Sequence, residues 1–135
     1  MHHFHQLKTT KVSKETNDCV NIAFEIPEHL RNLFKYKQGQ YINVRRIVDG
    51  EDLRRSYSIV NAPSEGNQEI EILVKNMEEG RVSSFLNHEV QIGDHLEILE
   101  PMGHFYTHHH PSNQKTYVGL AAGSGISPVL SNLKE

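Results

Sequence analysis

The sequence predicts a mainly β protein: a closed six-stranded antiparallel Greek-key barrel with one short internal helix, followed by the first strand, turn and helix of an α/β domain. Three observations predict this class. Six segments have β-strand character, short turns connect them, and the pattern changes after residue 111 to an unalternating apolar run with a glycine turn behind it. We therefore expect a barrel domain over residues 1–111 and the start of a second domain over residues 112–135.

Alternation of apolar and polar residues marks the barrel strands. The pattern is clearest where Val20, Ile22, Phe24 and Ile26 fall on one face. Pro27 ends that strand and opens a helical turn over residues 28–34. The predicted strands cover residues 5–14, 20–26, 41–48, 52–60, 68–75 and 95–100, with Pro101 ending the last.

Two turns give this barrel further detail. Asp49-Gly50 is a strong hairpin signal, so strands 41–48 and 52–60 should pair antiparallel. Gly80 forms a second turn, after which Ser83 or Ser84 is expected to cap a short helix. A helix start offers free N–H groups and a positive dipole end, which suit a phosphate; the alternative is a plain connecting helix.

The segment beyond residue 111 follows a different pattern. The apolar run 116–122 is typical of a strand buried on both faces of a parallel sheet. It leads directly into Gly123-Ser124-Gly125-Ile126-Ser127-Pro128 and a helix-forming tail, with Pro128 in the first turn. Strand, glycine turn and helix form the first unit of a dinucleotide-binding fold. Because one strand cannot make a sheet, we expect the remainder of this domain to be missing.

Composition excludes several classes of function. The 135 residues carry a formal net charge of −3 and no Trp, which argues against a nucleic-acid-binding protein. The single cysteine, Cys19, excludes an internal disulfide, a four-thiolate iron–sulfur site and a structural zinc site. No apolar stretch approaches a membrane span and no signal peptide is present, so we expect a soluble cytoplasmic protein.

Ten histidines raise the question of a metal site. They concentrate in His108-His109-His110 with His104, and in His2-His3-His5 at the other end. Consecutive histidines do not share a face in regular structure, and no supporting second set of ligands is evident. We therefore expect no functional metal site.

The stretch Leu53–Val60 carries the strongest chemical signal. In an extended segment Arg55 and Tyr57 point to one side and Ser58 to the other. Arg55 can fork onto phosphate oxygens, Tyr57 offers a stacking face, and Ser58 offers a short polar contact to a ring heteroatom. These groups suit a nucleotide with a large planar ring, best a flavin. The alternative is an edge strand with a solvated Arg and a half-buried Tyr.

Four motifs in order, Arg55-Ser56-Tyr57-Ser58, residues 80–83, residues 101–105 and residues 123–128, resemble the ferredoxin–NADP reductase superfamily. Within it they are most similar to the reductase components of phenylacetyl-CoA epoxidases, part of the ring-oxygenating system of aerobic phenylacetate breakdown. The resemblance covers essentially the whole chain. It implies an FAD-binding barrel, an NAD(P)-binding domain and, in the epoxidase reductases, a C-terminal [2Fe–2S] ferredoxin domain that passes electrons to a di-iron oxygenase.

The resemblance also implies roles for residues. Tyr57 would stack on the isoalloxazine ring, and Ser58 would hydrogen-bond near flavin N5, which accepts hydride; these two are the expected catalytic residues. The other implied contacts, some through backbone, are with FAD or the NAD(P)H pyrophosphate. FAD contacts are expected from Arg55, Ser56, Val74, Lys75, Gly80, Arg81, Val82 and Ser83, and NAD(P)H contacts from Gly123, Ser124, Gly125, Ile126, Ser127 and Pro128.

Two departures from the family pattern matter. Glu79 stands where the family has the first of two glycines, which places a carboxylate near the phosphates. The chain also lacks the rest of the nucleotide domain and the cluster cysteines, so by itself it should bind FAD without turning over NAD(P)H efficiently. The alternatives are a ferredoxin or flavodoxin NADP reductase, or a non-catalytic barrel that serves as a binding module.

Overall fold

The computed structural model describes residues 3–135, and it contains six strands and two α-helices. The strands are β1 (His5–Thr16), β2 (Cys19–Glu25), β3 (Tyr41–Val48), β4 (Glu51–Ser58), β5 (Glu69–Lys75) and β6 (His95–Met102). The helices are α1 (Arg81–His88), between β5 and β6, and α2 (Ile126–Lys134). Single 3-10 turns cover Glu28–Leu30, Pro63–Glu65 and Gly123–Gly125.

All strand pairs are antiparallel, in the order β4-β3-β6-β1-β2-β5. The long strand β1 serves two neighbours, since it pairs with β6 through His5–Lys8 and with β2 through the rest of its length. The ends of the sheet meet just after β4, where Ile59 bridges Ile72 and the Val60 N–H donates to the Glu71 carbonyl at 2.9 Å. The predicted six-stranded barrel is therefore confirmed.

Alternating apolar residues fill the barrel. Ile22 and Phe24 of β2 and Ile70 and Ile72 of β5 are fully buried, as the period-two pattern predicts. Each such side chain contributes roughly 1.5–3 kcal/mol by leaving water. The barrel core thus fixes which residues of each strand face inward.

The start of α1 differs from the expected capped helix. Its N-cap is Gly80, with no side-chain capping bond, and Ser83 lies inside the first turn. The Ser83 Oγ accepts from the Met77 N–H at 3.1 Å and donates to the Gly80 carbonyl at 3.3 Å. The predicted Ser83 or Ser84 cap is wrong, because a tight turn packs Ser83 against Gly80, where any side chain would overlap the Ser83 hydroxyl.

The predicted end of strand β6 is also wrong. Strand β6 does not end at Pro101 but runs to Met102, which pairs with Tyr41. Proline is tolerated there because the register of β3 and β6 shifts between Tyr41 and Asn43.

The apolar run 116–122 forms no strand and is exposed; Val118 is 81% and Leu120 89% accessible. No further strand within residues 3–135 is available to pair with it. The division into 1–111 and 112–135 remains a prediction.

Helix α2 packs on the barrel through a buried polar contact. Ser131 is fully buried; its hydroxyl donates to the Asn61 carbonyl at 2.9 Å and accepts from the Gly39 N–H at 3.3 Å. A surface pair, Lys134–Glu65 at 3.3 Å, lies beside it. Within the part of the chain that the structure describes, no helix is long and apolar enough to cross a membrane.

We predict that Ser131→Ala lowers the free energy of unfolding by about 1 kcal/mol, because the Gly39 N–H is then buried without its acceptor. The Asn61 carbonyl keeps a second donor, the Tyr36 hydroxyl, which limits the loss. Urea unfolding measures the change. Ser64→Ala, at an exposed serine, is the control and should change stability by less than about 0.5 kcal/mol. Equal effects of the two substitutions would contradict the docking of α2 through Ser131.

Candidate cofactor site

Strand β4 carries Arg55 and Tyr57 on one face, beside the gap between β4 and β5. Arg55 lies opposite Val44 of β3 and Tyr57 opposite Ile42, and both β3 residues are buried in the core. Arg55 and Tyr57 therefore project on the inner side of the sheet, with Leu53. Because the barrel closes only after β4, this row faces a cleft between β4 and β5, and α1 packs against both strands.

Arg55 is the exposed cation of this row. Its Nη1 donates to the neighbouring Arg54 carbonyl at 2.7 Å, and none of the ion pairs within residues 3–135 involves it. Four arginines around it are each paired with carboxylates: Arg45 with Glu97, Arg46 with Glu89, Arg54 with Asp52, and Arg81 with Glu51 and Asp49. Arg55 is thus available for an anionic ligand.

Tyr57 is half-buried and packs partly against the core. Burial raises the pKa of its phenol from 10.0 to about 12, although the nearby Arg55 charge acts in the opposite direction. The phenol is therefore protonated at neutral pH, with a fixed ring and a hydroxyl that can donate. These properties suit a stacking platform.

The serines of β4 lie on the outer side of the strand. The Ser56 hydroxyl donates to the Asn43 Oδ1 at 2.6 Å, and Ser58 lies opposite Tyr41. Both serines also border a small cavity of about 190 Å³. The cavity is lined by Ser56, Tyr57, Ser58, Leu73, Lys75, Met77, Ser124 and Ser127. It brings the β4 motif together with two residues of the predicted dinucleotide turn.

The rest of that turn is distributed differently. Gly123 and Ile126 border a neighbouring cavity of about 400 Å³ that also contains Cys19 and Lys75. Gly125 and Pro128 line neither cavity. The structure thus brings Ser124 and Ser127 of this turn to the same cavity as strand β4.

The end of β5 contributes one available side chain. Val74 is fully buried, and its carbonyl accepts from the Asn87 side chain at 3.1 Å. Lys75 is exposed and 3.7 Å from Asp18. Of the two residues, only Lys75 can offer its side chain to a ligand.

The first turn of α1 offers mainly backbone groups. The side chains of Val82 and Ser83 are buried, while Arg81 pairs with Glu51 at 2.6 Å and with Asp49 at 3.8 Å. The first N–H groups of a helix have no intrahelical acceptor and carry the positive end of its dipole. A phosphate bound here would therefore be held by N–H groups of residues 81–83.

A cavity of about 380 Å³ lies beside this helix start. Its lining residues come from β3, the β5–α1 loop, α1 and the residue that follows α1: Arg46, Val48, Asn76, Met77, Glu78, Glu79, Gly80, Arg81, Ser84 and Glu89. No role in the site was predicted for Arg46 from the sequence. The available signal was its position two residues after Val44, which puts a charged residue on the inward face of β3.

Glu79 adopts a left-handed backbone, with φ of 59°. Asp49 is the other non-glycine residue with positive φ in residues 3–135. This conformation explains why glycine suits the position, because a side chain there strains the backbone. Glu79 borders the cavity at the helix start.

The histidine-rich loop forms no metal cluster. Within residues 3–135, no three His, Cys, Asp or Glu side chains are arranged to hold a metal ion. His108, His109 and His110 are exposed, and His110 contacts the Ser112 hydroxyl. His2 lies outside the described residues.

Comparison with known proteins gives a consistent picture. The family profile described as the oxidoreductase FAD-binding domain matches residues 6–106. One of the subunits of 1,2-phenylacetyl-CoA epoxidase from Escherichia coli K12 is 39% identical over 128 residues, which are 95% of this chain and 35% of that protein. The chain spans about a third of the length of the curated relatives it matches.

Two solved structures share the fold over 98% of this chain. A ferredoxin NADP⁺ reductase from Neisseria gonorrhoeae, crystallised with FAD and NADP, has a TM-score of 0.79 at 26% identity, with 51% of that chain covered. Phthalate dioxygenase reductase, a modular protein for electron transfer from pyridine nucleotides to [2Fe–2S], has a TM-score of 0.72 at 25% identity, with 39% covered.

We predict that Glu79→Gly stabilises the protein by about 1 kcal/mol, because glycine adopts positive φ without strain. The substitution should also tighten FAD binding, since it removes a carboxylate near the expected phosphates. Urea unfolding and calorimetric titration measure the two effects. Glu78→Gly is the matched control, which removes the neighbouring charge at a residue without positive φ and should not stabilise. A less stable Glu79→Gly variant would contradict the strain argument.

A second prediction concerns alkaline pH. Because the folded-state pKa of Tyr57 is raised, its contribution to stability is fully present below pH 10 and is lost as the pH rises through about 12. The loss should be on the order of 2 kcal/mol. Tyr57→Phe should lack this component when the unfolding free energies of the two proteins are compared from pH 8 to 12. A constant difference between them over that range would show that Tyr57 has an ordinary pKa.

Proposed function

The chain belongs to the oxidoreductase FAD-binding domain family, within the ferredoxin–NADP reductase superfamily that its motifs indicate, and from this we propose how it works. The barrel binds FAD along β4 as part of a reductase. That reductase takes two electrons as hydride from NAD(P)H and passes them singly to an iron–sulfur centre that serves an oxygenase.

One observation carries the assignment of the site. Arg55 and Tyr57 lie on one face of β4, two residues apart, and open onto the cleft beside α1. Their spacing along the strand is roughly 6.8 Å. A stacked ring and an adjoining phosphate can occupy such positions together. Arg55 supports the phosphate assignment because no carboxylate of residues 3–135 is ion-paired with it.

The other residues would orient the cofactor. Tyr57 would cover one face of the isoalloxazine ring, and the Ser58 hydroxyl would hydrogen-bond near N5. Lys75 and the backbone of Val74 and Ser56 would border the ring. The pyrophosphate would be held at the start of α1 by Gly80, Arg81, Val82 and Ser83. Bound FAD would supply the capacity to accept a hydride and release single electrons.

The nicotinamide dinucleotide is assigned to the glycine turn. Gly123, Ser124, Gly125, Ile126, Ser127 and Pro128 form the segment that would receive its pyrophosphate. Support comes from the cavity that Ser124 and Ser127 share with Ser58. A nucleotide at this turn would have its reactive end close to Tyr57.

The electron acceptor is proposed from the relatives. The similarity to an epoxidase component and to phthalate dioxygenase reductase favours an iron–sulfur domain or ferredoxin together with an oxygenase, in the breakdown of phenylacetate. The likeness to the Neisseria reductase favours a second candidate, a ferredoxin or flavodoxin NADP reductase. The single cysteine, Cys19, is consistent with a cytoplasmic location.

We predict that the purified protein retains yellow flavin absorption after incubation with excess FAD and desalting. Tyr57→Ala should lower FAD affinity about tenfold, because it removes a stacking platform of about 1–3 kcal/mol. Arg55→Ala should weaken binding in a salt-sensitive manner, because the lost interaction is with a charged phosphate. Visible spectra and calorimetric titration at two salt concentrations measure these changes.

Arg54→Ala is the control for Arg55→Ala. Arg54 is the adjacent arginine on the other face of β4, and it is paired with Asp52 at 2.7 Å. Its removal should leave FAD affinity within about twofold. A protein that releases all added FAD would overturn the proposed function. Retained FAD with equal effects of the two arginines would overturn the assignment of the strand face.

A further inference from the structure

We infer that Arg46, stacked on Phe85, binds the adenosine half of FAD and makes the site select FAD over FMN. The inference rests on the proposed function and adds a specificity-determining residue to it. FAD differs from FMN by an AMP group joined through a second phosphate. Any preference for FAD must therefore come from residues that contact its AMP group.

The strand register places Arg46 where the adenosine of a bound FAD would lie. The inner face of β4 presents Tyr57, Arg55 and Leu53 in succession, and Leu53 lies opposite Arg46 of β3. Successive positions are roughly 6.8 Å apart along a strand. A ligand with its ring at Tyr57 and its phosphates at Arg55 reaches the level of Arg46 with its next group, which in FAD is adenosine.

The Arg46 guanidinium is held flat by its neighbours. Its central carbon lies 3.8 Å from the centre of the Phe85 ring. Its Nη1 donates to the Arg81 carbonyl at 3.4 Å, and its Nη2 is 3.6 Å from the Glu89 carboxylate. Arg46 borders the cavity of about 380 Å³ and Phe85 does not. Since the Phe85 ring covers one face of the guanidinium, we assign the opposite face to the base. A planar guanidinium with one free face is a stacking surface for a base.

The charges around the cavity favour a nucleoside over another phosphate. Three acidic residues, Glu78, Glu79 and Glu89, are among its lining residues, and its two arginines, Arg46 and Arg81, already have carboxylate partners. The Arg46–Glu89 pair is weak, because Glu89 is 61% exposed. Adenosine is uncharged, so it can stack on Arg46 without displacing these pairs. The volume lies in the lower part of the range of about 300–1,000 Å³ found for small-molecule sites.

The test is calorimetric titration of the full chain and its variants with FAD and with FMN. We expect Arg46→Leu to lower FAD affinity about tenfold, the typical loss of one stacked base, and to leave FMN affinity within about twofold. Arg46→Lys keeps the charge without the planar surface and should lose most of the same preference. Phe85→Leu, which removes the supporting ring, should reduce the FAD-to-FMN ratio to a smaller extent.

Arg45→Leu is the matched control. Arg45 is the adjacent arginine on the outer face of β3, paired with Glu97 at 3.1 Å, and its loss should leave the FAD-to-FMN ratio unchanged. Thermal unfolding of each variant verifies the fold. The inference is overturned if the parent binds FAD but Arg46→Leu and Arg46→Lys keep its FAD-to-FMN ratio, or if Arg46→Leu weakens FMN as much as FAD. Failure of the parent to bind either flavin would instead overturn the proposed function on which it rests.

Discussion

The two-residue hairpin between β3 and β4 is the constraint on which the site depends. Asp49 and Gly50 both have positive φ, 53° and 80°, which matches the twist of the strands they join. The hairpin sets Val48 opposite Glu51 and hence every later pair of the two strands. A slip by one residue would turn Arg55 and Tyr57 to the outside and bring Arg54 and Ser56 into the cleft. The face of β4 on which Arg55 and Tyr57 lie is thus set by the turn that precedes the strand.

Ion pairing distinguishes Arg55 from the arginines around it, because they have carboxylate partners. A guanidinium already paired with a carboxylate gains little from a phosphate, because the first partner must be lost. Arg54 and Asp52 satisfy each other on the outer face of the strand, and Arg81 is held by Glu51 at the hairpin. The same hairpin that sets the register therefore also supplies the carboxylate that occupies Arg81. Arg55 alone in this group faces the cleft with its charge available.

Residue patterns predicted the barrel well because alternation reports directly which side of a strand is buried. Tyr41–Val48 was predicted to the residue, and the Arg55–Tyr57 face followed from the same rule. The errors arose where a contact distant in sequence decides the structure. Ser83 has the sequence character of a helix cap, but in the structure its hydroxyl bonds to the Met77 N–H. Pro101 is typical of a strand end, but the register shift on the neighbouring strand accommodates it. The run 116–122 is apolar enough for a buried strand, but apolar character cannot provide the neighbouring strands that such burial needs.

The attachment of α2 bears on the proposed dinucleotide site. The cavity shared by Ser58, Ser124 and Ser127 is about 190 Å³, below the roughly 300 Å³ at which small-molecule sites begin. If the proposed function holds, a flavin ring on Tyr57 and a nicotinamide would not both fit there unless the glycine turn moved away from β4. Several contacts oppose such a movement. The Lys134–Glu65 pair is exposed and contributes at most about 1 kcal/mol, and the Asn132 side chain bonds to the backbone of Phe105 and Thr107 at 3.3 Å each. The Ser131 hydrogen bonds are buried and contribute about as much each. Movement of the glycine turn would therefore require these contacts of α2 to be lost together, and the proposed dinucleotide site depends on that cost.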